Sequence, residues 1–87
     1  MTTPLTVPVA RTIVLNALHQ VVPDEDLTVL GDDRPFRSEL ELDSLDFLSF
    51  VENLSAATGI RIDESDYDAV TSVASCVSFL TARGAAL

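Results

Sequence analysis

The stretch LELDSLDFLSFVENLSAATG, residues 40–59, predicts an amphipathic helix that begins at Ser44. Its apolar positions recur every three or four residues, as they do on one side of a helix that turns about 100° per residue. This side is formed by Phe47, Phe50, Val51, Leu54 and Thr58. Gly59 predicts the helix end, because glycine suits a left-handed cap. Taken alone, Ser44 is expected to be the N-cap of this helix.

Upstream, residues 7–22 predict a first helix with the same spacing, and Pro23 ends it. About twenty mostly polar residues, including seven acids, then lead to the helix at Ser44. Scattered apolar residues are expected to anchor this connection to the core: Leu27, Val29, Leu30, Phe36 and Leu40. A connection of this length favours a functional segment or a crossing from one end of a bundle to the other.

Downstream, Asp63 is placed to cap a short acidic third helix, and Thr71 or Ser72 to cap a last helix ending near Gly84. Only residues 60–62 alternate as in a strand. We therefore expect an all-α fold, a small four-helix bundle with three longer helices, one short third helix and a long loop between helices one and two. The predicted core consists of Ile13, Val14, Leu18, Phe47, Phe50, Leu54, Val73, Val77 and Leu80.

The length and charge of the chain limit what it can be. Its 87 residues suffice for one small domain, which we expect to span 1–87 with a packed part at about 7–83. Five arginines, no lysine and 14 acids give a net charge of −9. Such a surface disfavours nucleic acid and anionic membranes and favours basic protein partners. We expect a monomer without a membrane span.

Few side chains could support catalysis. His19 is expected to stabilise the end of the first helix, Cys76 to pack in the core as a small apolar residue, and Tyr67 to pack over the bundle end. One cysteine excludes an internal disulfide and fits a reducing cytoplasm. The acidic runs lack the ligand spacing of a calcium loop, so we expect neither a metal site nor catalytic residues.

Ser44 and Leu45 stand out at the start of the central helix. Leu45 falls nearly opposite the apolar side, next to Glu52 on the helical wheel, and is therefore expected to be exposed. An exposed leucine beside an exposed serine and several acids suggests a docking point.

The block Asp43-Ser44-Leu45-Asp46 resembles the attachment motif of acyl carrier proteins. The resemblance runs from about Ala10 to Leu80. It includes the first helix, the long loop, the serine at the start of helix two, the short acidic helix and a last helix opened by Thr71-Ser72-Val73.

This resemblance implies that a phosphopantetheinyl transferase moves 4′-phosphopantetheine from coenzyme A onto Ser44. The thiol of the arm would then carry acyl groups as thioesters. The implied partners are this transferase and acyl-loading or acyl-using enzymes (a ligase, acyltransferase or ketosynthase) with basic docking patches. Asp43, Leu45, Asp46 and Glu52 are the expected docking residues.

Departures from the fatty-acid-synthesis pattern leave the pathway open among fatty acid, polyketide and related biosynthesis. Ser49 and Glu52 replace an expected acid and an expected apolar residue, and Phe47 and Phe50 add aromatic rings. A discrete acyl or polyketide carrier is preferred to a peptidyl carrier, and a domain of a larger synthase stays an alternative. The rival hypotheses are an unmodified small acidic helical adaptor that docks on basic partners and, less favoured, a minimal enzyme that uses Ser44 directly.

Overall fold

The computed structural model describes residues 5–84, and all regular structure in this range is helical. Within residues 5–84 the four α-helices are α1 (Val7–Val21), α2 (Phe36–Glu39), α3 (Ser44–Thr58) and α4 (Val73–Gly84). Two 3-10 helices lie at Leu27–Val29 and Glu64–Ala69. The expected all-α class is confirmed, and residues 60–62 form no strand. The last helix was predicted to stop near Gly84, and the residues beyond Gly84 lie outside the described range.

The bundle is built around α1, which packs against both α3 and α4. Thr6 caps α1 by accepting a hydrogen bond from the Val9 N–H at 3.4 Å, and Pro8 fits the first turn, where a missing N–H costs nothing. His19 lies exposed in the last turn, as expected. The predicted core residues are buried, except that Ile13 is half-buried.

The long connection contains two short helical elements that the sequence did not predict, the 3-10 helix Leu27–Val29 and α2. Phe36 is its main anchor and is fully buried. The expectation for Val29 is wrong, since its side chain is 81% exposed. In a 3-10 helix residues three apart share one side. Leu27 and Leu30 therefore take the inner side, and Val29 is left outside.

Hydrogen bonds and an ion pair hold this connection against the bundle. The Phe36 N–H donates to the Thr71 carbonyl at 3.0 Å, and the Ala74 N–H donates to the Asp32 carbonyl at 2.9 Å. The Arg11 guanidinium donates two hydrogen bonds of 3.0 and 3.2 Å to the Asp32 carboxylate, and this contact lowers the pKa of Asp32. The connection is therefore fixed to both α1 and the start of α4.

The helix ends follow the local chemistry of the sequence. Gly59 ends α3 in the left-handed region, with φ of 71°, as predicted. Asp63 precedes the second 3-10 helix, where its N–H donates to Asp66 Oδ2 at 3.0 Å. Ser72, rather than Thr71, caps α4, since its Oγ accepts from the Ser75 N–H at 3.1 Å.

Candidate functional site

The start of α3 is capped by Asp43, and the expectation that Ser44 is the N-cap is wrong. Asp43 has the extended backbone of a cap, and its Oδ1 accepts from the Asp46 N–H at 2.8 Å. Asp46 Oδ2 in turn accepts from the Asp43 N–H at 3.5 Å, which completes a reciprocal capping box. Ser44 is the first helical residue, so its hydroxyl is not used by the cap and is exposed.

Arg37 lies beside this hydroxyl, a position that the sequence pattern did not indicate. Its Nη2 donates to Ser44 Oγ at 3.1 Å. Its guanidinium carbon lies 5.2 Å from the centroid of the Phe47 ring, a cation–π geometry. The preceding residue, Phe36, is buried and packs edge-on against Phe50 with ring centroids 4.9 Å apart. Arg37 therefore lies on a short helix that the buried side chain of Phe36 anchors to the core.

A tight turn after α2 connects Arg37 to the serine. The Leu42 N–H donates to the Arg37 carbonyl at 2.8 Å, and the Glu41 N–H donates to the Ser38 carbonyl at 3.3 Å. Glu41 has φ of 54°, so this is a Schellman-type helix end with glutamate where glycine is usual. Leu42 is buried, and the turn sets the separation between Arg37 and Ser44.

A cavity of about 360 Å³ opens beside Ser44. It is lined by Arg37, Ser44, Phe47, Leu48, Glu64 and Tyr67. A second cavity of about 180 Å³ shares Arg37, Phe47 and Tyr67 with the first. The Tyr67 ring packs edge-on against Phe47 with centroids 5.2 Å apart, as its expected packing role requires, and it also lines both cavities.

Of the four residues expected to dock partners, Asp43, Leu45 and Asp46 lie at the start of α3, and Glu52 lies about two turns further along the helix. Leu45 is 74% exposed and Asp43 and Glu52 are exposed, whereas Asp46 is half-buried in the capping box. Leu48 is 41% exposed and also lines the cavity, a role that the sequence pattern did not indicate. Their docking role stays a prediction.

The remaining candidate residues lie away from this site or inside the core. Cys76 is fully buried, and burial raises the pKa of its thiol to about 12. This agrees with the expected role as a small apolar core residue. Within residues 5–84 no group of three or more His, Cys, Asp or Glu side chains could hold a metal ion. Over the same range no helix is both long and apolar enough to span a bilayer.

Comparison with known protein families matches residues 11–80 to the family described as phosphopantetheine attachment site. The chain belongs to this family. The match covers most of the chain and confirms the resemblance to acyl carrier proteins, with covalent 4′-phosphopantetheine as the cofactor. Domains of this family are carriers served by partner enzymes of biosynthesis. No curated protein and no solved structure matches the chain significantly.

Proposed function

We propose that Ser44 is the attachment serine and that the chain carries acyl groups as thioesters on the arm. The observation that carries this proposal is the state of the Ser44 hydroxyl. It is exposed on the first residue of α3, is left free by the cap at Asp43, and lies within the matched residues 11–80. It also borders the larger cavity, and a guanidinium contacts it. The free hydroxyl and the neighbouring guanidinium suit a covalently bound phosphate, whereas the carboxylates of Asp43 and Asp46 oppose it.

In the attachment reaction, Ser44 Oγ forms the new bond to the pantetheine-bearing phosphorus of coenzyme A. The bond between that phosphorus and the bridging pyrophosphate oxygen breaks, and adenosine 3′,5′-bisphosphate leaves. The serine proton passes to a base of the transferase, since the described residues place no His, Asp or Glu in hydrogen-bond contact with Ser44 Oγ. The chain is therefore a substrate of this enzyme and not a catalyst itself.

The proposed cargo is an acyl or polyketide intermediate, supplied and used by acyl-loading and acyl-using enzymes. The bound phosphopantetheine supplies the thiol that forms the thioester. The chain itself supplies the attachment point and a negatively charged surface, with a net charge of −9. This charge is complementary to basic patches on partner enzymes.

Incubation with coenzyme A and a broad-specificity phosphopantetheinyl transferase tests the attachment. Intact-mass measurement is expected to show one added phosphopantetheine, which Ser44→Ala abolishes. Ser49→Ala, at another exposed serine of α3, is the matched control and keeps the full mass gain. No gain in the native chain, or a gain in the Ser44→Ala variant, refutes the proposal and favours the unmodified acidic adaptor.

We further propose that partners dock at the start of α3 through Leu45 and the acids around it. Leu45 offers about three-quarters of its surface for burial against an apolar contact. Asp43 and Glu52 are exposed and attract basic groups, and salt screens this attraction. Asp46 is a poorer probe of docking than Glu52, because its substitution also disturbs the capping box.

Transferase kinetics across an ionic-strength series test this surface. Glu52→Gln is expected to reduce kcat/KM and flatten its salt dependence, whereas Leu45→Ala reduces it at every salt concentration. Glu25→Gln removes the same charge from the connection after α1 and should have less effect. An unchanged salt response in Glu52→Gln, or a much lower melting temperature in Leu45→Ala, contradicts the assignment.

A further inference from the structure

Within the described part of the chain, four arginines pair with carboxylates and one does not. Among residues 5–84, the four ion pairs are Arg11–Asp32 (3.0 Å), Arg34–Glu39 (3.3 Å), Arg61–Asp63 (2.9 Å) and Arg83–Asp66 (2.9 Å). Arg37 instead donates to the neutral hydroxyl of Ser44. In a chain with 14 acids and five cations, the one arginine without a carboxylate partner in the described range contacts the proposed attachment atom.

Arg37 is restrained once at its backbone and once at its guanidinium. Its carbonyl accepts from the Leu42 N–H in the turn at Glu41, and its guanidinium lies over the Phe47 ring. A side chain restrained in advance loses less conformational freedom when it binds an anion.

The charge at the proposed site changes when the arm is attached. A neutral hydroxyl becomes a phosphodiester that carries one negative charge and two oxygens that accept hydrogen bonds. Asp43 and Asp46 lie within the same turn and repel this charge, while Arg37 is the cation in direct contact with the attachment oxygen. Its planar group has five N–H donors, of which Ser44 occupies one.

We propose that Arg37 binds the phosphodiester of the attached arm and holds the first atoms of the arm beside the 360 Å³ cavity. This inference rests on the proposed attachment at Ser44. It assigns to α2, a four-residue helix within the connection, a binding role distinct from anchoring the loop. Arg37 offsets the local repulsion between the phosphodiester and the nearby carboxylates. It therefore stabilises the protein that carries the arm relative to the protein without the arm.

The first test is phosphorus NMR of the modified protein. Arg37→Gln is expected to shift the phosphodiester resonance and to narrow it, because the group is released from the surface. Arg34→Gln is the matched control. It makes the same substitution three residues away, at an arginine that pairs with Glu39, and should leave the resonance unchanged. Added salt should move the parent resonance toward that of Arg37→Gln.

The second test is a thermodynamic cycle that combines modification with the Arg37→Gln substitution. The interaction between the arm and Arg37 should change the unfolding equilibrium constant by about two- to fivefold, which is the range for an exposed charge-assisted pair. Arg37→Lys keeps the charge but not the planar donors and should retain part of the coupling.

Intact masses distinguish the two possible failures. If the parent gains no arm, the assignment of Ser44 fails and this inference fails with it. If the parent and the Arg37 variants all gain the arm, yet their phosphorus resonances coincide and the cycle shows no coupling, the attachment stands and the role of Arg37 is refuted.

Discussion

Truncating Phe36 to alanine is expected to destabilise the domain strongly, although this residue lies in a connection between helices. Its side chain is fully buried and packs edge-on against Phe50, with ring centroids 4.9 Å apart. Removing a buried phenylalanine ring costs about 3–5 kcal/mol. A domain of 87 residues has a total stability of about 4–13 kcal/mol, so this loss is a large fraction of the total.

The contribution of the ring pair can be separated from that of burial. An edge-on aromatic pair contributes about 0.5–1.5 kcal/mol beyond the area that it buries. Phe36→Leu and Phe50→Leu, singly and together, remove the rings but keep most of the apolar volume. Their double-mutant cycle should therefore show a coupling energy in this range.

Thermal and urea unfolding followed by circular dichroism provide the assay. At about 4–8 °C per kcal/mol for a domain of this size, Phe36→Ala should lower Tm by at least about 12 °C. Val29→Ala, in the same connection but at a side chain that is 81% exposed, should change stability by less than about 0.5 kcal/mol. A Tm within a few degrees of the parent for Phe36→Ala, or equal losses in the two variants, would show that the connection is not anchored as described.

Two further substitutions and one labelling experiment probe other parts of the structure. Gly59→Ala should lower the free energy of unfolding by about 1–2 kcal/mol in urea unfolding, because alanine is strained in this left-handed backbone conformation. The new Cβ would meet no atom within 4 Å, so no steric clash adds to this cost, and a cost near zero would contradict the cap. Glu41→Gly should raise stability by up to about 1 kcal/mol, because strain relief exceeds the added entropy of the unfolded chain; a clear loss would show that Glu41 is not strained. The Cys76 thiol should react with a disulfide reagent at pH 8 only when the chain unfolds, and rapid labelling of the folded form would contradict its burial.

The bundle could be predicted from the sequence because its long helices repeat their apolar positions several times. Phe47, Phe50 and Leu54 determine one buried side without ambiguity, and Leu45 falls opposite them. Gly59 was equally informative, since few residues other than glycine adopt its backbone angles at low cost. The N-cap was misplaced by one residue because aspartate and serine are both favoured caps and stand next to each other.

Arg37 could not be predicted because its position depends on a turn without a clear sequence signature. A helix of four residues is too short to show periodicity, and its end uses glutamate in a conformation that usually indicates glycine or asparagine. The contact between Arg37 and Ser44 depends on this turn and on the burial of Phe36. The apolar Phe36 after Pro35 predicted an anchor for the connection, but it gave no indication that the neighbouring Arg37 contacts Ser44.

The burial of Cys76 has a consequence for the stability of the proposed cargo. A thioester is lost to any thiolate or free amine that can attack its carbonyl carbon. Burial raises the pKa of this thiol to about 12, so it stays protonated at neutral pH, and it is enclosed in the core. Since all five cations are arginines, the chain also has no lysine amine. The carrier therefore presents neither a cysteine thiolate nor a lysine amine to a thioester on the arm, which favours release of the acyl group by the proposed partner enzymes over transfer to these side chains.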